Sequence, residues 1–289
     1  MPVFHKWSVT CALGGLALVA LAILAGAISI SPGRQAGAAD AGTALDFNGS
    51  NQYVTFGTAL GSRNGTTVAS PTWVAGNPFP SPPPINNALQ FNGSSQYVTF
   101  GAAPTLGAPN FTLETWFNWT GGGVATSTGS GGLENATAAI PLVTKGRAEA
   151  EGSNVDMNYF LGISGGKLAA DFEDTASGGN HPVIANTTIT PNVWHHAAAT
   201  YDGGTWRLYL DGVLDKTLAV TGNPTPRSDS IQHAALGSAL NSTGVAAGFF
   251  AGTLDEARIW NIARAQSAIQ ATMNSELISP TAGLIGRWG

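Results

Sequence analysis

Charged residues and cysteine are scarce in this chain of 289 residues. Only 10% of the residues are charged, whereas an ordinary soluble domain carries roughly 25%. The 12 Lys and Arg against 17 Asp and Glu give a net charge of −5. This charge argues against nucleic acid as a partner and favours polar neutral ligands over anionic polymers. The single cysteine, Cys11, excludes an intramolecular disulfide and a cysteine-based zinc cluster.

Glycine and proline are abundant, with 38 Gly and 16 Pro, and 43% of the residues are hydrophobic. Enough apolar side chains are therefore present to build a core, but long helices are not expected among so many glycines and prolines. This composition predicts a globular, loop-rich β protein.

The N-terminus contains a long uncharged apolar run. No charged residue lies between Lys6 and Arg34, and small-residue sites follow at Ala25-Gly26-Ala27 and at residues 36–38. A basic start, an apolar run and a small-residue site are typical of a secretory signal, while the length also suffices to span a bilayer. We predict that residues 1–38 are a signal peptide or an N-terminal membrane anchor, with residues 7–30 as the tether. The remainder is then extracellular or on the cell surface.

A fourteen-residue segment occurs twice. Residues 44–57 (ALDFNGSNQYVTFG) recur as residues 88–101 (ALQFNGSSQYVTFG) with twelve of fourteen positions identical. Residues 77–84 between the copies contain too many prolines for a strand and predict a semi-rigid spacer. We assign residues 39–86 to a partial duplicated strand plus a proline-rich linker. The first copy is then either loosely attached or available for strand exchange with a neighbouring domain, and deleting residues 41–86 is expected to leave the thermal stability almost unchanged.

After the linker, apolar and polar residues alternate with the period of two that strands have. Phe111, Leu113 and Phe117, for example, fall on one strand face. Turn sequences such as Asp211-Gly212 join consecutive strands as antiparallel hairpins. Further strands are predicted over residues 140–143, 159–163, 168–172, 193–201, 206–210, 213–220 and 249–260. The pattern predicts an all-β fold of two packed antiparallel sheets.

One short helix is predicted near the C-terminus. Ser267 and Gln270 have the spacing of a capping box, and Ile269 and Met273 then share one helix face.

Four segments resemble the LamG-like jellyroll family of the concanavalin A-like lectin/glucanase superfamily. They are residues 89–98 (LQFNGSSQYV), 111–116 (FTLETW), 194–212 (WHHAAATYDGGTWRLYLDG) and 254–261 (LDEARIWN). The resemblance implies a two-sheet jellyroll sandwich over residues 87–289. It also implies an extracellular binding or scaffolding module, often with calcium, within a larger multi-domain surface protein. It does not name a ligand, because this fold hosts lectins, hydrolases and protein-binding modules.

The resemblance also suggests residues for a structural calcium ion. It points to the Asn92-Gly93 turn and to Asp255 as contributors. Calcium requires six to eight oxygen ligands, which carboxylates, amides and backbone carbonyls supply.

A cluster of acidic residues occurs at Asp171, Glu173 and Asp174, and His181 follows in a loop. A glycosidase needs two carboxylates that flank the scissile bond, but the other parts of a catalytic site are missing from the sequence. We therefore interpret these four residues as the exposed rim of a ligand site. Trp116, Trp194, Trp206 and Trp260 are predicted to lie in the core, and Phe249-Phe250 are candidates for an exposed aromatic lip.

Three functions follow from these observations. The first is a secreted or cell-surface, non-catalytic adhesion module that binds an extracellular glycan or protein, with a structural calcium. The second is a glycan-cleaving hydrolase or lyase that uses Asp171 and Glu173. The third is a structural spacer domain.

Overall fold

Two antiparallel sheets make up the part of the chain that the computed structural model describes, namely residues 65–76, 87–133, 138–277 and 281–289. All of these residues belong to one unit, residues 63–289. The predicted signal or anchor, the first copy of the duplicated segment and the proline-rich spacer lie outside the described residues.

The described residues form sixteen strands. In chain order they are β1 (Thr66–Val68), β2 (Thr72–Ala75), β3 (Asn87–Asn92), β4 (Tyr97–Thr99), β5 (Phe111–Val124), β6 (Ile140–Lys145), β7 (Tyr159–Ser164), β8 (Lys167–Asp171), β9 (Val183–Thr188), β10 (Trp194–Tyr201), β11 (Thr205–Leu210), β12 (Val213–Ala219), β13 (Ala234–Leu236), β14 (Ser238–Leu240), β15 (Ala246–Trp260) and β16 (Leu284–Trp288). Every strand predicted after the linker is present. The antiparallel sandwich predicted from the period of two is therefore confirmed.

Sheet A has seven strands in the order β1-β4-β13-β6-β7-β8-β9. Sheet B has nine strands, with β12-β11-β10-β5-β15-β3-β2 as its main path and β14 and β16 paired to β15. Neighbouring strands of each pair run antiparallel, as between β10 and β11. No helix in the described ranges is long and apolar enough to cross a membrane.

The main core lies between the two sheets. Phe111, Leu113 and Phe117 of β5 are fully buried there, as their alternation predicted. A second, smaller apolar cluster lies on the other side of sheet A, where Leu133 packs with Met157 and Phe160. Sheet A is therefore covered on both faces, and the chain segment that precedes β6 covers its second face.

One short helix, α1 (Gln266–Thr272), follows β15. Its position is as predicted, but the capping box is wrong. The residue at the N-cap is Ala265, which makes no side-chain cap bond, and Ser267 lies inside the first turn. The helix is held instead by Gln266 and Gln270, whose side-chain amides both donate to the carbonyl oxygen of Gly212.

Two short strands in the predicted linker belong to the sandwich. Strand β1 pairs with β4 of sheet A, and β2 pairs with β3 of sheet B. A Cβ atom on Gly65 would lie 2.3 Å from the side chain of Val98, so the chain approaches the sheet too closely there for any larger residue. The assignment of residues 65–76 to the linker is therefore wrong, because their backbone groups complete the edges of both sheets.

Candidate ligand-binding site

The four predicted rim residues come together where β8 ends, in a buried network. The carboxylate of Asp171 accepts hydrogen bonds from Thr128 Oγ1 at 2.6 Å and from Asn180 Nδ2 at 2.9 Å. Its other oxygen accepts from the backbone N–H groups of Phe172 and His181. Burial raises the pKa of Asp171 to about 7, and the four donors oppose this rise. Asp171 thus fastens two loops to the end of the strand.

Glu173 is also buried and has fewer partners. Its Oε2 accepts a hydrogen bond from the backbone N–H of Met157. Burial raises the pKa of Glu173 to about 9; the Met157 N–H opposes this rise, and the nearby carboxylates of Glu151 and Asp171 add to it. Glu173 is therefore protonated at neutral pH.

Asp174 and His181 complete the network as a polar pair. His181 Nε2 lies 2.9 Å from Asp174 Oδ2, and the His181 ring lies 4.8 Å from the ring of Phe172 between centroids. Burial raises the pKa of Asp174, but the hydrogen bonds from His181 and Ser177 outweigh burial and hold the pKa below its ordinary value. The pair closes the turn that follows β8.

The predicted exposure is therefore wrong for the three carboxylates of this rim, whereas His181 is half-buried. Asp171, Glu173 and Asp174 are 0%, 2% and 5% exposed, because the loop that covers the second face of sheet A and the segment around His181 close over them. Their oxygen atoms bind donors of the protein, which leaves little room for a sugar ring to reach them. In this structure the four residues connect loops.

The residues suggested for calcium lie in two different places. Asn92 Oδ1 accepts hydrogen bonds from the backbone N–H groups of Ser94 and Ser95, both at 3.0 Å. Gly93 has a φ of 75°, and a Cβ atom there would lie 2.6 Å from Ala251 Cβ. Asn92 and Gly93 therefore form a tight turn whose amide oxygen already has backbone donors.

Asp255 is separated from this turn along β15. Asn92 pairs with Ala251, whereas Asp255 lies four residues further along the same strand. At the rise of a strand this separation is about 13 Å. Within the described ranges, no group of three or more His, Cys, Asp or Glu residues is arranged to hold a metal ion. Asn92 and Asp255 thus do not fit one shared calcium ion, and calcium binding stays a prediction.

A cleft of about 480 Å³ opens at the edge of sheet A. This volume lies in the usual range of ligand sites, about 300–1,000 Å³. The cleft is lined by Thr66, Tyr97, Thr99, Phe100, Gly101, His233, Leu240, Thr243 and Gly244. The lining combines aromatic rings, hydroxyl groups and one imidazole, and none of these nine residues is a carboxylate.

Aromatic residues form one side of this region. The Tyr97 ring is half-buried and lies 6.2 Å from the Phe249 ring between centroids. Phe250 is fully buried in the core. The predicted aromatic lip is therefore wrong for Phe250, whose side chain points into the sandwich. Phe249 is half-buried and supports Tyr97.

The opposite side is a preformed turn. Asn241 Oδ1 accepts hydrogen bonds from the N–H and hydroxyl groups of Thr243 and from the N–H of Val245. Gly244 has a φ of 80°, and a Cβ atom there would lie 2.9 Å from the His233 imidazole. The turn therefore needs glycine at this position, and the backbone of Gly244 packs directly on the ring of His233.

His233 presents a polar ring to the cleft. Within the described part of the chain, no hydrogen-bond partner of its imidazole is found, and the side chain is half-buried. Burial lowers the pKa of His233, and the Lys145 ammonium lowers it further. The imidazole is therefore uncharged at neutral pH and offers one donor and one acceptor.

Sequence reasoning missed this cleft. Its residues come from β1, the end of β4, the residue before β13 and the turn after β14, which lie far apart in the chain. One signal was available, because Tyr97, Thr99, Phe100 and Gly101 all belong to the duplicated segment. His233 and Thr243 carry no sequence signal of a site.

A two-sheet jellyroll with a cleft at one sheet edge is an architecture of lectin-like domains. Residues 92–270 match the laminin G family model described as the concanavalin A-like lectin/glucanases superfamily. The chain therefore belongs to this superfamily, which confirms the resemblance seen in the sequence. No match was found among curated protein sequences.

Several solved structures are similar to the chain at low sequence identity. Domain 4 of AbnA, an extracellular arabinanase of Geobacillus stearothermophilus, is 17% identical with a TM-score of 0.48, and the match covers 73% of this chain and 88% of that one. The CBM40 of a Ruminococcus gnavus sialidase, solved with sialyllactose, is 17% identical with a TM-score of 0.43, covering 58% and 85%. The binding domain of Paraclostridial Mosquitocidal Protein 1 is 16% identical with a TM-score of 0.44, covering 72% and 46%.

Proposed function

We propose that this chain is an exported, non-catalytic module that binds a glycan in the cleft at the edge of sheet A. The lining of the cleft is the observation that carries the proposal. An aromatic ring stacks on the apolar face of a sugar, and hydroxyl and imidazole groups exchange hydrogen bonds with its hydroxyl groups. Membership of a superfamily named for lectins and glucanases agrees with a glycan ligand.

The absence of carboxylates from the lining supports binding without cleavage. Glycoside hydrolysis uses two carboxylates about 5–9.5 Å apart on either side of the bond. The nine lining residues include none, while Asp171 and Glu173 are buried in the loop network. The arrangement therefore suits recognition of a sugar and lacks a general acid and base at the same place.

A pair of matched variants tests the binding site. Tyr97→Ala removes the aromatic ring from the cleft, and Tyr53→Ala makes the same change in the first copy of the duplicated segment. Binding of the full-length chain is measured on a glycan array and then by calorimetry with the best glycan. We expect Tyr97→Ala to weaken binding about tenfold or more and Tyr53→Ala to leave it unchanged. Binding that survives Tyr97→Ala, or no binding to any glycan, would refute the proposal.

The hydrolase or lyase alternative has its own test. Release of reducing ends is measured with the wild-type chain and with Glu173→Gln. We expect no release from either protein. Release that the wild-type chain shows and the Gln variant lacks would establish the enzyme instead.

Export and tethering rest on the sequence of residues 7–30 alone, and strand exchange rests on the repeated segment. Both stay proposals about residues outside the described ranges. A protein partner or a purely structural spacer role predicts no binding to any glycan of the array, which distinguishes these alternatives from glycan binding.

A further inference from the structure

A buried lysine lies directly behind the cleft. Lys145, the last residue of β6, is 0% exposed. Its ammonium group donates hydrogen bonds to the carbonyl oxygens of Ala102 at 2.5 Å and Gln232 at 2.8 Å. Among the described residues no ion pair to this ammonium is found. Its positive charge therefore has carbonyl partners and no neutralising carboxylate.

Both partners of Lys145 adjoin residues of the cleft. Ala102 follows Gly101 on one wall, and Gln232 precedes His233 on the other. The ammonium group therefore connects the two chain segments that form these walls. Burial lowers the pKa of Lys145 to about 8, so most of the group is charged at pH 7.

Two further charged side chains bind the turn over residues 241–245, which lines the cleft. Arg147 Nε donates to the carbonyl oxygen of Val245 at 3.1 Å. The Glu149 carboxylate accepts from the N–H and hydroxyl groups of Ser242. Lys145 and Arg147 are positive, Glu149 is negative and His233 is neutral, so these four groups together carry about one positive charge, although the whole chain carries −5.

We infer that the cleft selects acidic glycans, which carry a carboxylate or sulfate group, over neutral ones. A charge embedded in low-dielectric walls projects its field into an adjoining cleft and raises the local concentration of anions. The lining itself adds no carboxylate that would repel such a ligand. The inference rests on the proposed function and replaces the neutral ligand expected from the net charge, because the local charge has the opposite sign.

The test compares acidic glycans with their neutral parents. The full-length chain is applied to an array that holds sialylated, uronic-acid and sulfated glycans beside the same glycans without the acidic group. Binding is repeated at about 0.05 M and about 0.5 M salt, because salt screens the field of a charge. We expect acidic glycans to bind about tenfold more tightly than their parents at low salt, and this advantage to shrink at high salt.

Two charge variants localise the effect. Lys145→Met keeps the apolar stem and removes the charge, and Lys167→Met makes the same change at the start of β8. We expect only Lys145→Met to reduce the ratio of acidic-glycan binding to binding of the neutral parents, and this ratio is read from one array so that a general loss of affinity cancels. If Lys145→Met does not fold, the salt dependence of acidic-glycan binding by the wild-type chain tests the inference instead.

The outcomes separate the inference from the proposed function. Equal binding of acidic and neutral glycans, independent of salt, would overturn the inference and leave glycan binding intact. A preference that Lys145→Met retains would overturn the role of this lysine. No binding to any glycan would overturn the proposed function and the inference together.

Discussion

Two polar regions of sheet A differ in how they use charge. Near the end of β8, the carboxylates of Asp171, Glu173 and Asp174 are buried and bind loop donors. Near β4 and β13, the cleft is lined by uncharged groups, and the charge of Lys145 stands behind its walls. Strand β8 is four strands from β4 and three from β13, which is about 14–19 Å at the usual strand spacing. The difference teaches that a cluster of acidic residues that looks like a ligand site in the sequence can instead connect loops inside the fold.

The largest expected effect comes from breaking the loop network. Asp171→Ala removes the acceptor of four hydrogen bonds and leaves buried donors without partners. We expect the free energy of unfolding to fall by about 3–4 kcal/mol, measured by urea denaturation. Glu151→Ala, on the exposed loop nearby, serves as the control. A stable Asp171→Ala variant that no longer binds glycan would show that the ligand site is at the network after all.

Deletions compare the two edge strands with the repeated segment. Removing residues 41–86 also removes β1 and β2, so the expectation that this deletion is harmless no longer stands. We expect it to lower the melting temperature by about 5–10 °C, whereas deletion of residues 41–62 leaves it unchanged. An equal loss from the shorter deletion would mean that the first copy is part of the folded domain.

The pH dependence of stability tests the buried carboxyl groups. Glu173 retains its proton up to about pH 9 in the folded chain, whereas the unfolded chain releases it near the ordinary value of 4.5. The stabilising effect of this proton is complete below pH 4.5 and is lost as the pH rises through 9, at most about 1.4 kcal/mol per pH unit. The raised pKa of Asp171 likewise makes the free energy of unfolding fall as the pH rises toward 7.

Urea denaturation at pH 5, 6 and 7 measures this effect. Lys145 opposes it only above about pH 8, and the lowered pKa of His233 opposes it equally in the wild-type chain and in Glu173→Gln. We expect the wild-type chain to lose stability over this range and Glu173→Gln to lose less. Identical slopes in the two proteins would contradict the assignment of a retained proton to Glu173.

The smallest expected effect concerns the turn at Asn92. Asn92→Ala removes the acceptor of three backbone N–H groups, and we expect a loss of about 1–2 kcal/mol in the free energy of unfolding. The loss is expected to be the same with calcium and with a chelator. A loss that occurs only with calcium would identify Asn92 as a metal ligand.

The fold was largely predictable because long strands and glycine turns leave periodic signals. Strand β5, for example, shows its buried face through Phe111, Leu113 and Phe117. Strands β1 and β2, which join different sheets, leave no such signal, because they have three and four residues, most of them exposed. The connection between them places Ala69 and Ser70 at positive φ, 56° and 54°, where glycine is the usual residue.

The site was less predictable because it depends on contacts between distant segments. Asp171 looks like an exposed rim residue in the sequence, and the packing of the loop that carries Thr128 and of the segment around His181 buries it. His233 and Thr243 meet Tyr97 only after β4, β13 and β14 have assembled. The charge behind the cleft includes that of Lys145, whose burial has no sequence signature.

The location of a bound glycan is the most direct test of the central claim. The backbone amide signals of the isotope-labelled chain are recorded by NMR during titration with the glycan that binds best on the array. We predict that the signals of Thr99, Gly101, His233 and Gly244 shift, while those of residues 171–181 stay in place. Shifts confined to residues 171–181 would contradict the account and move the ligand to the acidic network.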